Sequence, residues 1–193
     1  MPYSSVVFDP VIAKIIKFVK TKNFLDLGAG VGKYGALARK IDPSMHLTAV
    51  EIEKDYIKKF NLDSIYSEVL NMSVTDLLRP KYYDSKFDFI MCGDIIEHLK
   101  KSDGIDLLNF LIYRSRWIVI EFPHRYLINS VDGRHSGAHI SVWGENDFES
   151  FERTELYKSK KVGGTQRLIV LRGYLENEIP VEKVNALINN LWK

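Results

Sequence analysis

The chain has a single cysteine, Cys92, among its 193 residues. One cysteine cannot form an internal disulfide, so a hydrophobic core has to hold the fold, and a reducing, cytoplasmic location is expected. No apolar run approaches twenty residues, so no transmembrane helix is predicted. The first ten residues also lack a basic stretch followed by an apolar one, so no secretory signal is predicted.

An excess of charge of one sign is also missing, because 27 Lys and Arg residues nearly balance 25 Asp and Glu residues. The formal net charge of +2 is too small to indicate a surface for nucleic acid or membrane. Hydrophobic residues make up 46% of the chain, which is ordinary for a domain with a packed core. The length and the lack of repeats, low-complexity tracts or linkers predict one domain over residues 1–193.

What the sequence does contain is a glycine-rich stretch at 24–35, FLDLGAGVGKYG. A short apolar strand, 24–27, leads into three alternating glycines, and a helical pattern follows from Lys33. A strand, a glycine turn and a helix N-terminus are the usual start of a nucleotide-cofactor βαβ unit. Glycine allows positive φ and close approach of a ligand, and the helix N-terminus offers free N–H groups.

Two glycine spacings compete within this stretch. Gly30, Gly32 and Gly35 match the dinucleotide fingerprint G-x-G-x-x-G, whereas Asp26 followed by G-x-G-x-G from Gly28 matches a different one. In the second alignment, Asp26 lies at the carboxyl edge of the strand. A carboxylate there suits the ammonium and sulfonium groups of S-adenosylmethionine but would repel a dinucleotide pyrophosphate. The residues therefore favour the second alignment.

The sequence D-L-G-A-G-V-G resembles motif I of the class I S-adenosylmethionine-dependent methyltransferases. Two further motifs follow in the family's order and spacing, V-E-I-E at 50–53 and F-D-F-I-M-C-G-D-I-I-E-H-L at 87–99. The resemblance covers residues 20–125 well. It implies an α/β fold with a Rossmann-like, doubly wound, seven-stranded and mostly parallel sheet that ends in a C-terminal antiparallel hairpin. It also implies S-adenosyl-L-methionine as the cofactor.

Hydrophobic periodicity and turn residues predict the elements of this fold. The expected helices are 9–20, 33–40, 53–61, 95–113 with a break near 102–104, 145–152 and 180–192. The expected strands are 24–27, 46–52, a short one within 64–78, 87–92, 116–122, 156–160 and 167–172. The last two strands should be joined by a turn at Gly163 and Gly164.

The resemblance implies a set of cofactor-binding residues. Glu51 lies about twenty residues after the glycine turn, where a carboxylate can take both ribose hydroxyls. The family's usual adenine-binding acid falls at Ser73, so Ser73 and Met72 are expected to contact the adenine, and Asp76 to cap a turn or face solvent. The predicted cofactor-binding residues are Asp26, Gly28, Ala29, Gly30, Gly32, Tyr34, Glu51, Ile52, Met72, Ser73, Cys92, Gly93 and Asp94.

The acceptor side is predicted from position along the chain. Asp94 follows a central strand and should project into the crevice at the carboxyl ends of the strands. The long segment 123–143 carries His124, His135 and His139 and should overhang the same crevice as a substrate-side loop. Methyl transfer needs alignment of donor and acceptor, and a base only where the acceptor loses a proton. The candidate bases are Asp94, His98, His124, His135 and His139, and the predicted catalytic residues are Asp94, His98 and His139.

The resemblance also implies a lid, because in the family the segment before motif I often closes over the cofactor. Residues 1–22 are assigned to an N-terminal helix and lid, with Tyr3, Ser4 and Ser5 as lid residues. No Asp/Asn-Pro-Pro-aromatic motif follows the fourth strand, and Cys92 is followed by Gly and not preceded by Pro. Methylation of DNA-base amines and cysteine-dependent cytosine methylation are therefore disfavoured. A small-molecule or metabolite acceptor is expected, methylated at oxygen, carboxylate or nitrogen, with no nucleic acid or membrane partner.

A metal-dependent alternative stays open. Asp94, Glu97 and His98 stand at i, i+3 and i+4, so on a helix they would share one face, and His135 or His139 could join them. This resembles the E-x-x-E-H…H pattern that binds Mn²⁺ or Mg²⁺ in small-RNA 3′-terminal 2′-O-methyltransferases. Here the first position is Asp, and many metal-independent relatives carry E-H-L, so no metal ligand is assigned. The remaining alternatives are an NAD-dependent oxidoreductase and a non-catalytic binding subunit.

Overall fold

The computed structural model describes residues 4–124, 138–159 and 166–192. Their strands form one seven-stranded sheet in the order β3-β2-β1-β4-β5-β7-β6. Neighbours from β3 to β5 pair in parallel, and β7 is antiparallel to both β5 and β6, so six strands share one direction. The predicted sheet is thus confirmed. The strands are β1 (Asn23–Leu27), β2 (His46–Val50), β3 (Glu68–Leu70), β4 (Phe87–Gly93), β5 (Ser115–Pro123), β6 (Tyr157–Lys158) and β7 (Gln166–Arg172).

Helices cover both faces of the sheet. Apolar residues of α1, α2 and α5 pack on one face, and those of α4 pack on the other. The described helices include none that is long and apolar enough to cross a membrane. Their bounds are α1 (Asp9–Phe18), α2 (Lys33–Ile41), α3 (Lys54–Lys59), α4 (Lys101–Ile112) and α5 (Val181–Leu191).

The central strands are buried on both faces, which explains their unbroken apolar sequences. In β4, Phe89 and Met91 face the core beneath α1 and α2, whereas Ile90 and Cys92 face the core beneath α4. Phe89 stacks on Phe24 of β1 with ring centroids 5.3 Å apart. Each fully buried aliphatic or aromatic side chain contributes about 1.5–3 kcal/mol of transfer free energy, so this double core is the main source of stability.

The order of the strands sets the position of the crevice. The chain builds outward from β1 to β3 and then returns to place β4 on the other side of β1. In open α/β sheets, ligands bind at such a reversal, beyond the carboxyl ends of the strands. Leu27 is paired with Cys92 at this edge, so the glycine turn after β1 and the Gly93–Asp94 pair after β4 lie side by side.

The segment after β4 departs from the predicted helix 95–113. Ile96–His98 forms a separate 3-10 turn, the chain becomes extended at Leu99, and α4 starts only at Lys101. The break therefore lies at 99–100, and the predicted break near 102–104 is wrong. Gly104 has a packing role instead, because a Cβ there would lie 2.6 Å from the ring of Trp143.

Smaller differences concern element ends. The predicted helix 145–152 is a four-residue 3-10 turn, Glu145–Phe148, since Phe148 and Phe151 are drawn into the core beneath the turn. Strand β2 ends at Val50, which leaves Glu51 beyond the strand. The predicted hairpin is present as β6 and β7, and its turn at Gly163 and Gly164 lies outside the described residues.

Candidate active site at the carboxyl ends of the central strands

The glycine turn is fixed to the end of β2. The N–H groups of Gly28 and Ala29 donate to the carbonyl of Val50 at 2.8 and 3.1 Å. Gly28, Gly30 and Gly32 all have positive φ, from 54° to 77°, which side chains other than glycine rarely adopt. A Cβ on Gly28 would also lie 2.4 Å from the side chain of Ile95. The turn therefore requires glycine for both conformation and space.

Glu51 lies directly over this turn. One carboxylate oxygen accepts a hydrogen bond from the Gly30 N–H, and the other accepts from the Glu53 N–H, each at 2.8 Å. Burial raises the pKa of Glu51 from its ordinary value. Asn71 holds the following backbone by donating to the carbonyls of Glu51 and Ile52 at 2.9 and 3.0 Å. Sequence reasoning did not identify Asn71.

The residues that follow β2 offer the polar and apolar groups that a nucleoside requires. A carboxylate has about four lone-pair sites, so Glu51 keeps acceptor capacity for a ribose hydroxyl beside its bonds from Gly30 and Glu53. The next residue, Ile52, leaves 55% of its apolar side chain exposed beside the carboxylate, which offers a surface for a base. The residues present therefore fit an adenosine-containing cofactor.

Asp26 lies below the turn, fully buried, and not at its open side. Its carboxylate accepts a hydrogen bond from the Tyr66 hydroxyl, which in turn accepts from the Gly35 N–H at 3.1 Å. Burial raises the pKa of Asp26 to about 7, although the bond from Tyr66 opposes this rise. Tyr66 is a site residue that sequence reasoning missed, because its position before β3 matches no motif.

Tyr34 and Glu121 form a second buried pair beside β4. The Tyr34 ring packs on Gly93, where a Cβ would lie 2.3 Å from the ring, and its hydroxyl donates to a Glu121 carboxylate oxygen at 2.8 Å. Burial raises the pKa of Glu121 to about 8. Glu121 was also missed, and the available indication was an acid inside the apolar run RWIVIEF of β5.

Asp94 occupies the position that the sequence predicted, at the end of β4, with a left-handed φ of 51°. Its carboxylate accepts from the Ser5 N–H at 3.1 Å and from the Gln166 side-chain amide at 3.2 Å. Burial raises the pKa of Asp94, and the charge of Lys33 opposes this. Asp94 precedes the 3-10 turn and is not helical, so the predicted helix face shared with Glu97 and His98 is wrong.

The N-terminal segment lies across the same edge. Ser4 donates from its hydroxyl to the Gly93 carbonyl at 3.2 Å, next to the contact of Ser5 with Asp94. Lys33 donates to the Ser5 carbonyl and forms an ion pair with Asp9 at 2.8 Å. Two of the three predicted lid residues thus lie over the crevice, and Tyr3 lies outside the described residues.

Glu97, His98 and His139 lie close together, and each offers a ligand atom within 4.8 Å of the others. Glu97 is 2% exposed, and neither of its carboxylate oxygens has a hydrogen-bond partner among the described residues. The nearest Glu97 oxygen is 3.9 Å from Nε2 of His139. Burial raises the pKa of Glu97 and lowers the pKa of both histidines.

Backbone contacts hold this cluster together. The N–H groups of Ile140 and Ser141 donate to the Glu97 carbonyl at 2.9 and 3.1 Å, and the Trp143 indole donates to the Ile96 carbonyl at 3.1 Å. His135, another predicted loop histidine, lies outside the described residues, and His124 directly follows β5.

The predicted adenine contacts have structural roles of their own. The Ser73 hydroxyl accepts from the Thr75 N–H at 3.3 Å, and the Ser73 N–H donates to Asp76 at 3.1 Å. The prediction that Asp76 caps a turn is thereby confirmed. Met72 accepts a hydrogen bond at sulfur from the Tyr82 hydroxyl at 3.0 Å. Cys92 is buried in the core beneath α4, so only its backbone can face the crevice.

Comparison with known proteins gives a match to one protein family over part of the chain. A methyltransferase-domain profile matches residues 25–108, which include the glycine turn, Glu51 and Asp94. No curated protein matches the sequence at a significant level.

Solved structures match over most of the chain at low identity. The 1,6-didemethyltoxoflavin N1-methyltransferase of Burkholderia thailandensis, solved with its substrate and S-adenosylhomocysteine, is 15% identical over 86% of this chain and 78% of its own, with a TM-score of 0.63. The methyltransferase domain of bacterial CtHen1 is 17% identical over 85% of this chain and 95% of its own, with a TM-score of 0.62. The plantazolicin methyltransferase BpumL, solved with S-adenosylhomocysteine, is 14% identical over 88% and 86%, also with a TM-score of 0.62.

The chain spans little over half the length of two other matched structures, at 55% and 56%. At such identities the structural similarity shows the fold, and the profile match covers residues 25–108 alone. The order of the sheet, the glycine turn and the acid after β2 agree with both. Residues 25–108 are therefore similar to a methyltransferase-domain family, and the chain has the fold of methyltransferases that were solved with S-adenosylhomocysteine.

Proposed function

We propose that this chain transfers a methyl group from S-adenosylmethionine to a small-molecule acceptor, at an oxygen, carboxylate or nitrogen atom. The observation that carries the proposal is the 2.8 Å hydrogen bond from the Gly30 N–H to Glu51. It places a carboxylate suited to a ribose diol directly over a turn whose backbone a ligand can approach closely. The cofactor and the acceptor would then share one crevice with Asp94.

The cofactor is proposed to lie along the carboxyl ends of β2, β1 and β4. The glycine turn 28–32 and Glu51 would hold the ribose, Ile52, Met72 and Ser73 would flank the adenine, and the backbone of 92–94 would face the methionine part. Asp26 would fix the turn from below through its hydrogen bond from Tyr66, and Tyr34 would hold Gly93 by packing on it while its hydroxyl donates to Glu121. When bound, S-adenosylmethionine supplies a methyl group on a cationic sulfur, which keeps the electron pair of the broken bond.

The acceptor side would be formed by Asp94, His98 and His139. An acceptor hydroxyl or protonated amine must lose a proton, and its raised pKa makes the Asp94 carboxylate a better proton acceptor than an exposed aspartate. Nδ1 of His98 is 3.0 Å from the Ala138 carbonyl, which can only accept, so Nδ1 carries the proton. The neutral ring therefore has its lone pair on Nε2, and this atom is a second candidate base.

The charges at this edge support a small acceptor over a nucleic acid. Asp94, Glu97 and Glu121 are three carboxyl groups close to one another, and Lys33 is already paired with Asp9. A phosphate-rich RNA end would meet carboxyl groups there, whereas the phosphate contacts that dominate nucleic-acid affinity depend on Lys and Arg. RNA 3′-end methylation therefore stays the second candidate, supported by the Glu97, His98 and His139 cluster.

Two measurements test the proposal. Calorimetry should show binding of S-adenosylhomocysteine and none of NADH. Methyl transfer from radiolabelled S-adenosylmethionine should label the small-molecule fraction of a cell extract and leave the RNA fraction unlabelled. Asp94→Asn should lower this transfer at least about 100-fold if Asp94 is the base, whereas Asp106→Asn on the exposed side of α4 should not. Label confined to RNA would overturn the small-molecule acceptor.

A further inference from the structure

The geometry points to an autoinhibitory role for residues 4–6, which occupy the part of the crevice that a cationic group of a ligand needs. This role rests on the proposed binding of S-adenosylmethionine, and it is the opposite of the lid that the resemblance implies. A lid closes over a bound cofactor and strengthens its binding, whereas residues that take the place of the cofactor weaken its binding. The two roles therefore predict opposite changes in affinity.

Two donors of the N-terminal segment use two acceptors at the end of β4. The Ser4 hydroxyl donates to the Gly93 carbonyl at 3.2 Å, and the Ser5 N–H donates to one Asp94 carboxylate oxygen at 3.1 Å. The other Asp94 oxygen accepts from the Gln166 side-chain amide at 3.2 Å. A carbonyl beside a carboxylate suits a cationic donor such as an ammonium group. Both acceptors already have a donor from the chain itself.

Lys33 fixes the segment in this position. Its ammonium donates to the Ser5 carbonyl, forms an ion pair with Asp9 at 2.8 Å and lies 4.1 Å from the centre of the Tyr34 ring. Burial raises the pKa of Asp94, and the charge of Lys33 opposes this rise. Lys33 thus supplies a positive charge near Asp94 and holds the Ser5 N–H against its carboxylate.

Polar contacts hold residues 4–6, and apolar packing does not. Val6 is 70% exposed, whereas Phe8 is fully buried and packs on Trp192 with ring centroids 4.6 Å apart. Phe8 therefore anchors the start of α1, and residues 4–6 can leave the crevice without uncovering a side chain of their own from the core. Water would replace their hydrogen bonds, so the net change in free energy is small.

The free chain would then exchange between a closed form, with residues 4–6 in the crevice, and an open form that binds the cofactor. The measured dissociation constant exceeds that of the open form by the inverse of the open fraction. A change that weakens only the closed form should therefore tighten binding. Ser4→Ala is such a change, because it removes one donor of the segment and leaves Gly93 and Asp94 as they are.

The test is a calorimetric titration of the full chain with S-adenosylhomocysteine, which keeps the ammonium group of the cofactor. We expect Ser4→Ala to bind about two- to tenfold more tightly than the wild type, which is the net effect of one hydrogen bond. Ser102→Ala, at an exposed serine in the first turn of α4, is the matched control and should bind as the wild type does. Equal or weaker binding by Ser4→Ala would overturn the autoinhibitory role.

A second measurement uses the unmodified chain. Saturation with S-adenosylhomocysteine should speed hydrogen exchange at the Ser5 amide, measured by NMR, because the ligand takes the Asp94 carboxylate from it. The Asn23 amide, which donates to Asp88 at 2.9 Å at the amino end of β1, should exchange at an unchanged rate. Unchanged or slower exchange at Ser5 with the ligand bound would contradict the autoinhibitory role alone. Absence of binding to both the wild type and Ser4→Ala would instead contradict the cofactor proposal, and the competition with it.

Discussion

The hydroxyl of Tyr66 joins the buried carboxylate of Asp26 to the first turn of α2, because it donates to Asp26 and accepts from the Gly35 N–H. Removal of this oxygen leaves a carboxylate and an N–H without their partner. We therefore expect Tyr66→Phe to lower the free energy of unfolding by about 1–3 kcal/mol, measured in urea. Tyr113→Phe, at an exposed tyrosine, is the control and should have no effect; equal stabilities of the two variants would contradict this role.

Two buried acids should make stability fall with rising pH. The pKa is raised from 3.8 to about 7 for Asp26 and from 4.5 to about 8 for Glu121, in both cases by burial. The folded chain therefore binds more protons than the unfolded chain at neutral pH, so the stabilising contribution is complete below about pH 4 and is lost as pH rises through about 7–8.

The measurement for this effect is urea unfolding between about pH 7 and pH 9, above the ordinary histidine range. We expect a loss of at least about 1 kcal/mol over this interval, because one pKa unit corresponds to about 1.4 kcal/mol. The double variant Asp26→Asn, Glu121→Gln should show a flatter profile. A wild-type profile that rises over the same interval would exclude the raised pKa values.

Glu51 is the residue on which the cofactor proposal depends most. Glu51→Ala removes a carboxylate that would bind the ribose diol and also frees the Gly30 N–H. We expect binding of S-adenosylhomocysteine to weaken by about 1–3 kcal/mol, measured by calorimetry. Glu68→Ala, an exposed acid on the edge strand β3, is the matched control. Unchanged affinity in Glu51→Ala would show that Glu51 does not bind the ribose of the cofactor.

Gly93 should tolerate no side chain, because a Cβ there would lie 2.3 Å from the Tyr34 ring. Gly93→Ala must displace Tyr34 and break its bond to Glu121, which should cost about 1–3 kcal/mol of stability. Gly144→Ala is the matched control, because its Cβ would meet nothing within 4 Å and its φ of −144° is ordinary for alanine. Equal melting temperatures for the two variants would show that Tyr34 can move without cost.

The position of the N-terminal segment should depend on Lys33, which contacts both Ser5 and Asp9. Lys33→Met keeps the length of the side chain and removes its charge. We expect faster hydrogen exchange at the Ser5 amide, whose acceptor is Asp94. Lys14→Met, on the exposed side of α1, should leave this exchange rate unchanged. If exchange at the Ser5 amide stays slow in Lys33→Met, the contacts made by Ser4, Ser5 and Asp94 are sufficient to hold the segment in place without Lys33.

Local patterns were sufficient for the buried strands and for the turn. Apolar runs such as FDFIMC predicted the buried strands, and the glycines fixed the cofactor turn because few other residues adopt positive φ. Spacing along the chain was a poorer guide after β4. The i, i+3, i+4 spacing of Asp94, Glu97 and His98 assumed a regular helix, whereas the left-handed Asp94 and the break at Leu99 send these side chains in different directions.

The sequence by itself determined which segments form the central strands, the glycine turn and the positions of Glu51 and Asp94, because each follows from local backbone preference or from the end of an apolar strand. Only the tertiary structure paired Tyr66 with Asp26 and Tyr34 with Glu121. These pairs join segments 40 and 87 positions apart. Burial then decides their chemistry, since the same carboxylic acid has an ordinary pKa in water and a raised one where the fold removes it from solvent.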